Sequence, residues 1–554
     1  VKTVILGGYG VFGSRLAELL LRDGHSVWLA GRNPEKAQAE AARIGAQPLA
    51  LDFRAAPETI FTVTPDVVID ASGPFQAYGD DAYRIPSLCI QNGVDYLDLS
   101  DDADFTAGIG ALDAEARRND RRILSGASSV PGLSSAVAAH LTQGFDEILL
   151  IDTAILPGNR APRGASVIAS IVGQLGKASP AWRGGAWRDV QCWSDPRRFR
   201  LAPDLVRNGY FIAVPDVRLF PEFFGARSVM FRAGMELPVL NAGMGALAAL
   251  RRLWRFEVTP ARAGFLQRLA NCLLPFGTDR GGMRVTVVGR KGDLVQQREW
   301  RLVAEAGDGP YVPAVAARTL LRRLKSIPHG ARPCLAEMSL GEIEHALSDL
   351  AISTQTDEAP RLTLFQAALA DRWSLLPPEV RELHSVQDVE SFSGHAQVTR
   401  GTSPIARFAA WFFCFPAAGD HVPLTITKTR TDNGEIWERN FSGRVFRSVC
   451  TPAKTPYRYR ERFWLLNYEQ ELPVEKGCMR LPVRRGWFLG VPLPHAFLPG
   501  SDSREYSEGG VFHFDVGLSA PLGGGLIVRY RGSVRPDRRN ATAWNASEQP
   551  LAPN

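Results

Sequence analysis

Short apolar runs alternate with helix-period segments over the first 130 residues. KTVILG (2–7) reads as a strand, and residues 11–24 place Phe12, Leu16, Leu19 and Leu20 on one face of a helix that Gly24 stops. SVWLAG (26–31) predicts a second strand, and PEKAQAEAARIG (34–45) a second helix with proline in its first turn. DVVIDAS (66–72) is apolar enough to be buried on both faces, and YLDLS (96–100) and RRILSGAS (121–128) continue the series. Such alternation predicts an α/β unit over residues 1–130, built on a doubly wound parallel sheet.

From 131 to 353 the pattern is mixed and predicts an α+β domain. GLSSAVAAHL (132–141) reads as a helix after Pro131, and DEILLIDTAIL (146–156) as a strand. Residues 282–306 alternate as antiparallel strands turning at Gly292-Asp293. Ser339 and Glu342 form a capping-box pattern ahead of another helix. AISTQTDEAPR (351–361) is polar and turn-rich and reads as a linker. LTLFQAALADRWSLLP (362–377) is helical. Strand candidates then recur at HAQVTRG, VPLTITKTR, EIWERNFSG, YRERFWLLNYE, MRLPVRRGWFL, GVFHFDVGLSA and GGLIVRYRGSV, predicting a mostly antiparallel β domain over 362–533. Residues 534–554 read as a disordered tail.

Composition narrows the classes. A length of 554 residues suits about three structural units. With 45% hydrophobic and 22% charged residues, the chain can bury cores. The net charge of +6 favours anionic substrates or a phosphorylated cofactor. No basic run interleaved with aromatics argues for nucleic acid. The seven cysteines form no CxxC pair and are odd in number, so reduced thiols are expected, with neither a zinc site nor a disulfide framework. Val1 opens a strand rather than a signal peptide. The longest apolar stretches, 237–250 and 408–419, fall short of the ~20 residues a membrane span needs, so the cytoplasm is the expected location.

The chemistry begins after the first strand. Gly8-Tyr9-Gly10-Val11-Phe12-Gly13 fits GxGxxG between strand and helix, the context that makes this spacing a dinucleotide fingerprint in a Rossmann domain. Gly8 is expected to make the tight turn, Gly10 to admit the pyrophosphate to the backbone, and Gly13 to let the helix pack on the strand. The second strand ends Ala30-Gly31-Arg32-Asn33, with no carboxylate for a ribose 2′-hydroxyl and an arginine for a 2′-phosphate. This selects NADP(H). Asp52, after the third strand, is placed to reach the adenine edge. Ala71, Ser72, Gly73 and Pro74 follow Asp70 at the next strand end, with small residues that admit the nicotinamide ribose. Asp98 and Asp102 follow the strand after that and are the candidates for moving a proton, with Ser128 and Ser129 as further contacts. Arg163 and Arg183 are among many arginines able to bind a carboxylate. The histidines lack metal-ligand spacing; His384 and His395 could meet in space but read as ordinary surface or core histidines.

GGYGVFG, AGRN, LDF, DASGPF, GVDYLDLSDD and SSVPGLSS, in this order, resemble the saccharopine-dehydrogenase-like oxidoreductases over about residues 1–350. The resemblance implies a Rossmann domain followed by an α+β substrate and dimerisation domain. Members of that family include saccharopine reductases, relatives that make polyamines such as homospermidine, and trans-acting enoyl reductases of lipid synthesis. The family's YxDxxGE becomes Tyr96-Leu97-Asp98-Leu99-Ser100-Asp101-Asp102 here, with aspartates replacing the glycine and the glutamate. VPLTITKTR, GEIWERNFSG, GVPLPHAFLPG and FHFDVGLSAPLGGGLIVRYRG are similar to a domain of unknown function fused behind such dehydrogenases in bacteria. Its strands read physically as a curved or barrel-like sheet, a shape that often encloses an apolar ligand. The expectation is an NADP-dependent oxidoreductase of a small or lipid-like carbonyl, enoyl or imine substrate. Reductive condensation of an amine with a carbonyl is an alternative, as is a non-catalytic dinucleotide sensor whose β domain binds a lipid or a partner.

Overall fold

The computed structural model describes residues 1–162, 164–254 and 270–537. Arg163 and residues 538–554 of the expected tail lie outside the described residues. The chain divides into two compact units, one of residues 1–182 and 187–359, the other of 183–186 and 360–554.

The first unit opens with the expected alternation: β1 (Lys2–Leu6), α1 (Val11–Arg22), β2 (Ser26–Gly31), α2 (Pro34–Ile44), β3 (Gln47–Ala50), β4 (Val67–Asp70), α3 (Arg84–Gln91), β5 (Asp95–Asp98), α4 (Ala103–Gly108) and β6 (Arg122–Ser125). The strands are parallel and lie in the order β6-β5-β4-β1-β2-β3. A seventh strand, Gly330–Pro333, pairs with β6 and closes that edge. It comes from the stretch that reads in sequence as the second domain. Leu16, Leu19 and Leu20 of α1 are fully buried against Ile5, Leu29 and Ile69 of the sheet. Truncating one of them to alanine costs about 2–5 kcal/mol. The buried Arg318 ties this layer to the chain beyond it by pairing with Asp23 at the end of α1 and with Asp349.

A second seven-stranded sheet in the same unit runs from Arg197–Ala202 through Leu205–Phe211, Val229–Ala233, Glu147–Leu156, Gly281–Lys291 and Leu294–Ala304 to Ile352–Pro360. The hairpin about Gly292-Asp293 is as expected. The linker expected at 351–361 is instead an edge strand over most of its length. Its residues are polar because all but two of its positions are exposed, and an edge strand carrying charge resists pairing with other chains.

In the second unit, thirteen strands between Val389 and Pro536 form one antiparallel sheet with Val389–Arg400, flanked by Gly419–Thr431 and Leu526–Pro536, near its middle. The last strand, Leu526–Pro536, extends past the expected start of the tail at 534. Phe392, Phe441, Phe512, Phe514 and Tyr530 anchor its core. No helix among the described residues is long and apolar enough to cross a membrane.

Candidate functional site

The strand order of the first sheet reverses between β1 and β4, so their carboxyl ends border the crevice where open α/β sheets hold ligands. The turn after β1 is made by Gly7, at φ +70°, and not by Gly8. A Cβ on Gly8 would instead stand 2.8 Å from Leu29 Cα, so that glycine serves close contact with β2. Gly13 packs as its spacing predicts: a Cβ there would stand 2.4 Å from the Gly7 carbonyl oxygen. Gly10 is extended and leads into α1, which has no side-chain cap and no acid in its first turn. The first-turn amides and the helix dipole therefore offer donors and positive potential to an anion, with Val11 and Phe12 half-buried beside them.

At the end of β2, the Tyr9 ring lies over Gly31, where a Cβ would fall 2.1 Å from the ring, and its hydroxyl accepts the Asn33 N–H at 3.2 Å. Asn33 caps α2 by accepting the Lys36 N–H at 2.9 Å. Arg32 is exposed between them. Asp52 is exposed beyond β3, and its carboxylate accepts the Arg54 N–H at 3.1 Å.

Buried Asp70 ends β4 and organises the next loop. Its Oδ1 accepts the Ser72 N–H at 2.9 Å and the Ser72 hydroxyl at 2.6 Å, and its Oδ2 accepts the Tyr78 hydroxyl at 2.8 Å. Burial pushes this carboxyl up from the ordinary carboxylate range, against the pull of those donors. Ser72 is thus held by Asp70, while Ala71, Gly73 and Pro74 are half-buried around it. Tyr78, unremarked in the sequence, packs with Phe75 and Phe105 at 5.1 and 5.7 Å and fixes the loop.

Asp98 ends β5 fully buried. Its Oδ1 accepts the Gly126 N–H at 2.8 Å, the Ser125 hydroxyl at 3.0 Å and the Ser100 N–H at 3.0 Å. Its Oδ2 is buried with no partner among the described residues. Burial pushes this carboxyl up to about 7. Asp102 caps α4, its Oδ1 accepting the Phe105 N–H at 2.8 Å. Asp101 between them is raised to about 6 by burial and by the Asp102 charge. Ser128 and Ser129 are buried in the turn after β6. Sequence reasoning also missed Asp216, in the first turn of the helix Pro215–Phe224, which packs against α4 and the turn at Ser129–Leu133. Burial lifts its carboxyl to about 8. An acid after proline at a helix start carries no sequence signal beyond the helix start itself.

The remaining candidates lie elsewhere. Arg183 belongs to the second unit and pairs with Asp388, its Nε 2.9 Å from Oδ2. His384 is buried, with its Nε2 2.6 Å from Glu505 Oε2. His395 is exposed and packs on His421 at 4.3 Å, so the two histidines occupy different surroundings. No group of three metal-ligating side chains stands together among the described residues.

Residues 3–122 match the Saccharopine dehydrogenase NADP binding domain, and residues 376–534 match the Domain of unknown function (DUF4166). No curated protein matches the chain. Among solved structures, apo saccharopine dehydrogenase (L-Glu forming) from Saccharomyces cerevisiae is similar at 15% identity and TM-score 0.47, over 64% of this chain and 100% of that one. The homospermidine synthase of Legionella pneumophila in complex with NAD is similar at 14% identity and TM-score 0.42, over 65% and 91%. The chain thus carries an N-terminal NADP-binding domain of the saccharopine dehydrogenase family and a C-terminal DUF4166 domain.

Proposed function

We propose that the chain is an NADP(H)-dependent oxidoreductase that transfers hydride to or from a small or lipid-like carbonyl, enoyl or imine compound. The observation that carries this reading is the pairing of an uncapped α1 N-terminus, reached through the turn at Gly7–Gly10, with a β2 end that presents exposed Arg32 and no carboxylate. The residues fit the dinucleotide: the first-turn amides and Gly10 suit a pyrophosphate, and Arg32 suits a 2′-phosphate. Tyr9, Asn33 and Asp52 flank the adenosine end, and the backbone of Ala71–Pro74 borders the nicotinamide ribose. The bound dinucleotide supplies or takes the hydride. Of the two acids expected to handle a proton, Asp98 fits better, with a carboxyl raised to about 7 and an Oδ2 left to carry the proton. Asp102 spends one oxygen on its helix cap.

Quenching of tryptophan fluorescence by NADPH and by NADH tests the cofactor. NADPH binds more tightly in the native chain, and Arg32→Ala weakens NADPH by roughly ten- to a hundredfold, the worth of a charge-assisted contact. NADH binding stays nearly constant. Preference for NADH, or an unchanged NADPH affinity in Arg32→Ala, rules the reading out. NADPH oxidation against keto acids paired with amines, and separately against enoyl esters, identifies the substrate class. Tight binding without turnover on either panel points to a sensor.

A further inference from the structure

The second unit encloses a cavity of about 420 Å³ that the proposed hydride transfer does not use. At ~30 Å³ for each water-sized group, it has room for about a dozen or more heavy atoms. Its walls come from strands far apart in the sheet order. Leu424 and Ile426 belong to a central strand, Tyr468 to one wing, and Phe512 and Phe514 to the other. The sheet therefore curls around the space, and Phe365 of the helix Leu364–Leu369 adds to its lining.

The wall is mostly apolar, and the ionisable side chains set into it are paired. Arg439 Nη2 stands 3.3 Å from Glu461 Oε1, and Glu461 Oε2 accepts the Gln470 side-chain amide at 2.7 Å. Glu505 meets His384 at 2.6 Å. The one cation among these groups, Arg439, is taken by Glu461, so an anionic head group would bring an uncompensated charge into a low-dielectric space. Two lining tyrosines, half-buried Tyr468 and buried Tyr530, have hydroxyls with no hydrogen-bond partner among the described residues, and Tyr530 is the more deeply set of the two. The available partners for a ligand are thus neutral hydroxyls that can donate or accept, with Tyr530 the deeper one.

Phe488 and Phe497 line the cavity yet are 46% and 51% exposed, which locates its mouth. Beside it, the helix Pro404–Phe412 is followed by Phe413, and Ala409 and Phe413 both line the cavity. The same helix leaves Ile405, Phe408 and Trp411 exposed. Phe412 meets Trp464 edge-on at 5.6 Å, and Phe463 next to Trp464 again lines the cavity. Trp411 and Trp464 are 72% and 76% exposed. An apolar ring of this extent around a cavity mouth marks an interaction site, and exposed Trp411 one helical turn from exposed Arg407 suits the boundary layer of an anionic bilayer.

We propose that this cavity holds the aliphatic chain of a neutral single-chain amphiphile, its oxygen function against Tyr530, and that the aromatic ring receives this molecule from a bilayer surface. The test uses the full chain. The neutral dye 1-aminoanthracene brightens on binding, is displaced by dodecanol, and is not displaced by NADPH. Val516→Trp and Val483→Trp, which fill the cavity from different strands, each weaken the dye at least tenfold while circular dichroism and melting show a folded protein. A native chain that does not brighten the dye, or folded filling variants that bind it equally, overturns the proposal. Tyr530→Phe keeps the cavity and the fold, lowers dodecanol affinity several-fold and leaves dodecane unchanged; equal losses for both remove the role of the hydroxyl. In a separate arm, the chain sediments with phosphatidylcholine–phosphatidylglycerol vesicles, and Trp411→Ser with Trp464→Ser abolishes this while dissolved dodecanol still binds. Dodecanol binding without vesicle sedimentation of the native chain overturns the bilayer as the source. None of these readings depends on dinucleotide binding, so failure here and failure of the NADPH titration are separate results.

Discussion

Asp98 receives three donors on one oxygen and none on the other, among the described residues. Loss of water outweighs those donors and lifts its carboxyl from the ordinary range to about 7. An acid raised on folding stabilises the native state in its protonated form. That contribution is complete below the unfolded value near 4 and is lost as pH rises to about 7. Asp98→Asn keeps an acceptor and cannot ionise. In urea unfolding, the stability of the native chain minus that of Asp98→Asn therefore falls between pH 4 and 7 and is flat above; a flat difference throughout would mean a solvated carboxylate. Asp98 is legible in the sequence because it follows a strand end. Asp98 and Asp102 are not separable in sequence, since an acid buried under a turn and an acid capping a helix have the same local signature. Arg183 was illegible for a different reason: its partner, Asp388, lies 205 residues away.

Elements whose contacts are local were the legible ones. The turn between β1 and α1 is written in its glycines because each lies against backbone only a few residues or one strand away. Gly13→Ala forces a Cβ onto the Gly7 carbonyl, so α1 must shift; a loss of about 1–3 kcal/mol is expected, with NADPH binding lost as well. Gly10→Ala meets only that same oxygen, at 3.0 Å, and keeps stability within about 1 kcal/mol while weakening NADPH. Thermal melting and fluorescence titration of the two variants separate packing from ligand approach; parallel losses in both would refute the distinction. Some elements at an edge or around a cavity are illegible. Ile352–Pro360 lacks alternation because most of its positions are exposed. Arg444–Pro452 and Gly500–Glu508 do not stand out as strands in sequence because their inward positions include Ser448, Ser503 and Glu505, which disguise the apolar face. The helix Pro404–Phe412 read only as a membrane span of insufficient length.

Two compact units, each with its own core, imply two separable unfolding events rather than one. Calorimetry should resolve two transitions. NADPH at a hundred times its dissociation constant stabilises one of them by about 2.7 kcal/mol, and dodecanol acts on the other. A single transition moved by both ligands would show the units to be energetically fused. Within the first unit, the strand Gly330–Pro333 has a consequence for synthesis. It covers the edge of β6, yet leaves the ribosome about two hundred residues later, a delay of roughly 10–40 s at usual elongation rates. Until then the nascent sheet exposes an unpaired strand edge with three buried-type positions, open to neighbouring nascent chains. A fragment ending near residue 130 keeps that liability permanently. Chaperone demand during translation, and insolubility of such a fragment that is relieved by adding back the later strand, follow from this one pairing.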